Sequence, residues 1–164
     1  GVQIESGVDI TDEASVANLA QRLQGTALDV LINNAGILHR VTLDNLDFDS
    51  IRQQFEVNAI GPLRVTKALL PNLSNGSKVA LMSTRMGSIA DNTSGGSYGY
   101  RMSKVALSMA GKSLAHDLSP RGIAVAILHP GLVETRMTGF TKSGITPTEA
   151  VKGLLTRIDD LTLE

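Results

Sequence analysis

Tyr100-Arg101-Met102-Ser103-Lys104 sets a phenol and an ammonium four residues apart at the head of an alanine- and leucine-bearing stretch, Val105 to Leu118, whose composition predicts a helix. On a helix, residues four apart share a face, so the two side chains lie side by side about one turn apart. A free tyrosine titrates near pH ~10, and a neighbouring cation favours the phenolate, bringing the hydroxyl closer to what a neutral-pH acid or base needs. The same spacing fits a solvated tyrosine and lysine on one helix face, so its meaning depends on its surroundings.

Those surroundings alternate strand and helix. Leu28 to Ile32 is almost continuously apolar, the mark of a parallel strand covered on both faces, and it runs into Asn33-Asn34-Ala35-Gly36. Val79 to Met82, closed by Ser83-Thr84-Arg85-Met86-Gly87, and Ile123 to Leu128, followed by His129-Pro130-Gly131-Leu132-Val133-Glu134-Thr135, predict two more strands. Between and around them, Asp12 to Leu23 has helical apolar spacing, with Thr11 as candidate N-cap and Gly25 as its end. Phe48 to Leu70 predicts a long helix holding Val57-Asn58-Ala59-Ile60-Gly61-Pro62, and Thr148 to Ile158 predicts a last one with Pro147 near its first turn. This order implies an α/β fold, a doubly wound parallel sheet. Ser94-Gly95-Gly96-Ser97 reads as a flexible loop, and no internal repeat is present.

Composition narrows the function classes. With 164 residues, 42% of them hydrophobic, the chain can bury roughly 70% of its unfolded surface in one core, so one domain over 1–164 is expected. Fifteen Lys plus Arg against sixteen Asp plus Glu, with two Tyr and three Phe, argue against a nucleic-acid partner. The absence of cysteine removes disulfides, thiolate nucleophiles and Cys-ligated metals, and no two of the three histidines sit at metal-ligand spacing, so no metal site is expected. The apolar runs fall far short of the ~18 residues of a membrane span, and the first residues do not form a signal segment, so a soluble cytoplasmic protein is expected.

Taken together and in order, Asn33-Asn34-Ala35-Gly36, Asn58, Ser83-Thr84-Arg85-Met86-Gly87-Ser88-Ile89, Tyr98-Gly99-Tyr100-Arg101-Met102-Ser103-Lys104 and His129-Pro130-Gly131 resemble the short-chain dehydrogenase/reductase superfamily. Within it they are most similar to the C-factor-like and sniffer-like carbonyl reductases. The resemblance implies a Rossmann-like sheet and an NAD(P)-dependent oxidoreductase that interconverts a small carbonyl and alcohol by hydride transfer. Tyr100 would be the acid/base, and Lys104 would lower its pKa and hold the nicotinamide ribose. The catalytic hydroxyl falls on Thr84, one residue after Ser83. Either could supply it, but neighbouring strand residues face opposite ways, and the extra methyl of threonine restricts its rotamer.

Asn58 also carries a local argument, because Pro62, four residues on, clashes with the Asn58 carbonyl and offers it no N–H. That carbonyl could hold a water, which the resemblance implies as part of a proton relay, or the proline could simply kink the helix. For NAD or NADP, the resemblance carries Asp9 and the Ile10 backbone to the adenine, and Asn34, Ala35 and Gly36 to the adenosine ribose. It carries Pro130 and Gly131 to the nicotinamide turn, and Val133 and Thr135 to the carboxamide. Asn33 would tie neighbouring strands together. As local structure alone, Asp9 reads equally as a residue capping the following helix, and Pro130-Gly131 as an ordinary turn.

A dinucleotide site of this kind needs a glycine-rich turn at a helix N-terminus to approach the pyrophosphate, and the chain has none. Against the family it reads as an incomplete domain, without the first two strands and the last strand. Contacts at the two ends of a dinucleotide should hold it weakly. The resemblance further implies a homodimer through the Asn58 and Tyr100 helices, for which Leu63, Val65, Ala68, Leu69, Val105, Leu107, Met109 and Ala110 supply candidate contacts. A rival expectation, since fold does not fix function, is a non-catalytic interaction or signalling module that keeps the reductase fold.

Overall fold

The computed structural model describes residues 1–163. Three parallel strands, β1 (Val30–Asn33), β2 (Lys78–Met82) and β3 (Ala124–Leu128), form one sheet in that order, with Val30 opposite Lys78 and Met82 opposite Leu128. Helices α1 (Glu13–Arg22), α2 (Phe48–Phe55), α3 (Gly61–Ala68), α4 (Tyr98–Leu118) and α5 (Pro147–Asp159) complete the frame. Alternate strand residues point to opposite faces. Leu31, Val79, Leu81 and Val125 join Ala59, Leu107, Leu118 and Ile123 in the larger core cluster, and Val16, Val65 and Leu69 from α1 and α3 form a second beside it. On the other face α5 is docked by Lys78, whose Nζ donates to the carbonyls of Ile158 and Asp159 at 2.7 and 2.8 Å, a cation at a helix C-terminus. The sheet is thus the doubly wound, Rossmann-like type that the alternation predicts. Among the described residues no helix is long and apolar enough to cross a membrane.

Several local features depart from expectation. Asp12, not Thr11, caps α1: its carboxylate accepts the Ala14 N–H at 3.0 Å, while the Thr11 hydroxyl donates to Asp9 at 2.7 Å. The helix predicted over 48–70 is interrupted by a π-turn at Glu56–Ile60, where the Gly61 N–H reaches back five residues to the Glu56 carbonyl. A wider turn suits a site where Pro62 can neither donate to nor clear the carbonyl four residues back. Val65, Leu69 and Leu107 are spent in the core rather than left for a partner, whereas Ile60, Leu63, Met102 and Met109 stay exposed. A parallel bridge between Val133 and Ile145, unread in the sequence, ties the segment after β3 to the approach to α5.

Candidate active site

All three strands end at one edge of the sheet, the edge where α/β folds bind ligands, and the candidate residues follow each end. Tyr100 is the third residue of α4 and Lys104 lies one turn on, 7% and 5% exposed, with the ammonium 5.9 Å from the phenol ring centre. Lys104 Nζ donates to the Met82 carbonyl at the end of β2, at 2.7 Å. Burial pushes its pKa down to about 8. The same burial pushes the Tyr100 phenol up, outweighing the Thr84 hydroxyl that faces it and the positive charge of Arg40. Desolvation thus acts against the charged form of both groups.

Ser83 and Thr84 part company as strand alternation requires. The Ser83 hydroxyl lies 3.1 Å from that of Ser108 and 3.4 Å from the Lys104 carbonyl, so it is tied to α4. Thr84 opens a 3₁₀ turn over Arg85–Gly87, accepts the Met86 N–H at 3.2 Å, and presents its hydroxyl to Tyr100. A Cβ at Gly87 would lie 3.1 Å from the Lys104 backbone carbon, so glycine lets this turn press onto α4.

Asn58 is fully buried, and its side chain supplies a second tie. Its Oδ1 accepts the Ile37 N–H at 2.8 Å, and its Nδ2 donates to the Ile37 carbonyl and to Ser103 Oγ at 2.9 and 3.0 Å. Ser103 in turn donates to the Tyr100 carbonyl at 2.9 Å. The loop after β1, the π-turn and the Tyr100 turn are therefore one buried network. Sequence reasoning placed Asn58 by its main chain and missed Ser103, although a serine immediately before Lys104 was in plain view. Gln54, also fully buried, was missed as well; it accepts the His39 N–H at 3.0 Å and steadies the same loop.

The remaining residues divide. Gly36 sits against the centre: a Cβ there would lie 3.2 Å from Asn58 Oδ1 and 3.5 Å from Lys104 Nζ. Asn34 and Ala35 are exposed beside it. Asn33 donates to Thr66 Oγ1 at 3.1 Å, so it ties β1 to α3 rather than strand to strand. Before α1, Asp9 accepts from the Thr11 N–H and hydroxyl, which hold its carboxyl low, and the Ile10 carbonyl accepts from Arg64 Nη1 at 2.6 Å. Pro130 and Gly131 make the turn after β3, with Gly131 at φ +89°. The Val133 carbonyl accepts the Thr138 hydroxyl at 2.6 Å, and the Thr135 N–H donates to the same hydroxyl at 3.1 Å. His129 stands beside Arg85, with burial and that charge holding its pKa down.

A dinucleotide fits part of this arrangement. Among the described residues Lys104 Nζ has one hydrogen-bond partner, leaving two donors beside Gly36. A phosphate-binding glycine turn is not among these residues.

A family model described as short chain dehydrogenase matches residues 3–145. The chain belongs to that family. It is 46% identical over 169 residues to a 1-hydroxy-2-glutathionyl-2-methyl-3-butene dehydrogenase of Rhodococcus sp. strain AD45, covering 100% of this chain and 75% of that protein. With C-signal of Myxococcus xanthus it is 47% identical over 140 residues, 84% of each chain. Among solved structures, NADPH-bound carbonyl reductase from chicken fatty liver superposes with a TM-score of 0.87 at 34% identity, over 95% of this chain and 69% of that one. The carbonyl reductase Sniffer of D. melanogaster gives 0.86 at 31%, over 94% and 69%. The chain is thus similar in fold and sequence to carbonyl reductases.

The depressed lysine gives this dehydrogenase a pH signature. Lys104 has a folded pKa near 8 against an ordinary 10.5, so its contribution to stability is lost as pH falls through about 8 and recovered towards 10.5. Tyr100, raised from 10, adds stability below its ordinary value and loses it above. Stability should therefore rise by roughly 2 kcal/mol from about pH 8 to 10. Urea midpoints should show that rise, and Lys104→Met should flatten it; a rise of equal size in the variant would assign it to other groups.

Proposed function

We propose that this dehydrogenase interconverts a small carbonyl and its alcohol with NAD or NADP. The observation that carries the proposal is the meeting of the Tyr100 phenol, the Thr84 hydroxyl and the Lys104 ammonium at the C-terminal edge of the sheet. NADPH- and NADP-bound neighbours support the cofactor, and the reductase and dehydrogenase names of the relatives support the substrate class. When bound, the nicotinamide supplies or takes the hydride. Tyr100 gives a proton to the carbonyl oxygen in reduction. Thr84 donates a second hydrogen bond to the same oxygen. Lys104 uses its remaining N–H groups on ribose hydroxyls beside Gly36, and the Asn58 carbonyl, to which Pro62 cannot donate, holds a relay water. Asp9, Ile10, Asn34, Ala35, Pro130, Gly131, Val133 and Thr135 line the rest of the dinucleotide path.

Turnover on this account needs a contact to the pyrophosphate in addition to these residues, which contribute to a single domain in the cytoplasm. Residues 1–164 alone would hold a dinucleotide no tighter than about millimolar, worth only ~4 kcal/mol. NADH and NADPH absorbance followed with aldehydes, ketones and secondary alcohols tests the function. Consumption with at least one is expected, and none across the series would overturn it. A second reading, a signalling module, is favoured by the likeness to C-signal and predicts that outcome.

Assembly follows from the exposed stripe. Leu63 and Met109, 42% and 66% exposed, with Ile60 and Met102, lie on the Asn58 and Tyr100 helices and suit burial against a second copy. Sedimentation should show a homodimer at tens of micromolar, roughly where even a weak interface assembles. Leu63→Lys with Met109→Lys should give monomers, and a wild type that is monomeric there would reject the interface.

A further inference from the structure

The helix that carries the acid/base starts without the usual support. Its N-cap, Ser97, is left-handed at φ 49° and ψ 42° and makes no side-chain cap, a conformation in which non-glycine residues are uncommon. The open N–H groups of a first turn normally look to such a cap. Yet Tyr100 sits in that first turn, and its hydroxyl must stay in register with a hydroxyl on a different segment, the Thr84 turn.

Arg101 spans the gap. Its Nε donates to the Gly96 carbonyl at 3.2 Å, its Nη2 to Ser94 Oγ at 2.9 Å, and its Nη1 to the Met86 carbonyl at 3.3 Å. One planar fork therefore joins the loop that leads into Tyr100 to the turn that leaves Thr84, a geometry that a lysine point charge cannot reproduce. The Ser97 N–H, bonded to the Val41 carbonyl at 2.7 Å, fixes the same loop from its other side. Its three acceptors are the Gly96 and Met86 carbonyls and the Ser94 hydroxyl, so the arginine acts through what it holds.

We propose that Arg101 is a positioning residue that keeps the Thr84 hydroxyl and the Tyr100 phenol in register by clamping the 86–96 loop to the first turn of α4. Its effect on turnover rests on the oxidoreductase function proposed above; the clamp itself does not.

The test uses the whole protein with Arg101→Lys and Arg101→Ala. Amide hydrogen exchange over residues 85–100 should quicken by roughly tenfold in both, with Leu107 to Leu118 unchanged. Turnover in Arg101→Ala should fall by about 10²-fold, carried by kcat with cofactor Kd within about twofold, since small misplacements cost that much. Added guanidinium should restore part of it. In a Thr84→Ala background the same change should cost less than about threefold, because the register it protects has lost one member. Unaltered exchange at 85–100 overturns the clamp whether or not the protein turns over. Full additivity with Thr84→Ala overturns the positioning role. A wild type without turnover removes the oxidoreductase function instead, and exchange then decides the clamp by itself.

Discussion

Tyr100→Phe is expected to lower carbonyl reduction by the whole protein by about 10³-fold or more, the upper part of what one positioned proton donor supplies. The change removes a single oxygen. The ring stays in its buried place at the head of α4, where it packs beside Lys104, and folding stability should move by less than about 1 kcal/mol because the phenol has little beyond Thr84 to lose. Cofactor affinity should hold within about twofold, since Lys104 and Gly36 are untouched. Steady-state kinetics and a fluorescence titration with NADPH check both halves. Unchanged turnover would remove Tyr100 from the chemistry, and a large loss of cofactor affinity would recast it as a binding residue.

Thr84→Ala should cost about 10²-fold in kcat, the scale of one lost hydrogen bond to a developing oxyanion, while Thr84→Ser keeps most of the activity. Ser83→Ala is the informative control. Its hydroxyl is turned to Ser108 and the Lys104 carbonyl, so it should soften folding slightly and leave kcat within about threefold. The opposite ranking, with Ser83→Ala the more damaging, would mean that the donor reaches the substrate from the other face of β2. Equal indifference to both would point to a donor outside these two positions.

The fold was legible because burial leaves a pattern. Leu28 to Ile32, Val79 to Met82 and Ile123 to Leu128 read as strands and lie within a residue or two of where they fall in the sheet, but β1, expected to be covered on both faces, leaves Val30 and Ile32 38% and 46% exposed on one of them. Pro62 announced a disturbance at Asn58, but not that the helix would pass it by a π-turn, which depends on how the neighbouring loop packs. The cap moved from Thr11 to Asp12 because Thr11 had a nearer acceptor in Asp9, a competition that spacing does not decide.

Site residues were legible as types and places, less so as contacts. Tyr100, Lys104, Thr84, Asn58 and Gly36 do converge, whereas Ser103, Gln54 and Arg101 went unread because their partners, Asn58, His39 and the loop 86–96, are near in space only after folding. The pKa balance was hidden for the same reason. Motif spacing promised a cation beside a phenol, but not the burial that pushes the phenol up and the ammonium down.

Hydride transfer itself is the claim on which the rest depends, and isotope transfer reads it directly. With NADPH deuterated at nicotinamide C4 on the transferred face and a carbonyl substrate, mass spectrometry of the alcohol should find one deuterium on the former carbonyl carbon in the wild type, and almost no alcohol in Tyr100→Phe. Alcohol formed without the label from cofactor deuterated on either face, or no alcohol and no cofactor oxidation with any carbonyl offered, would contradict the account.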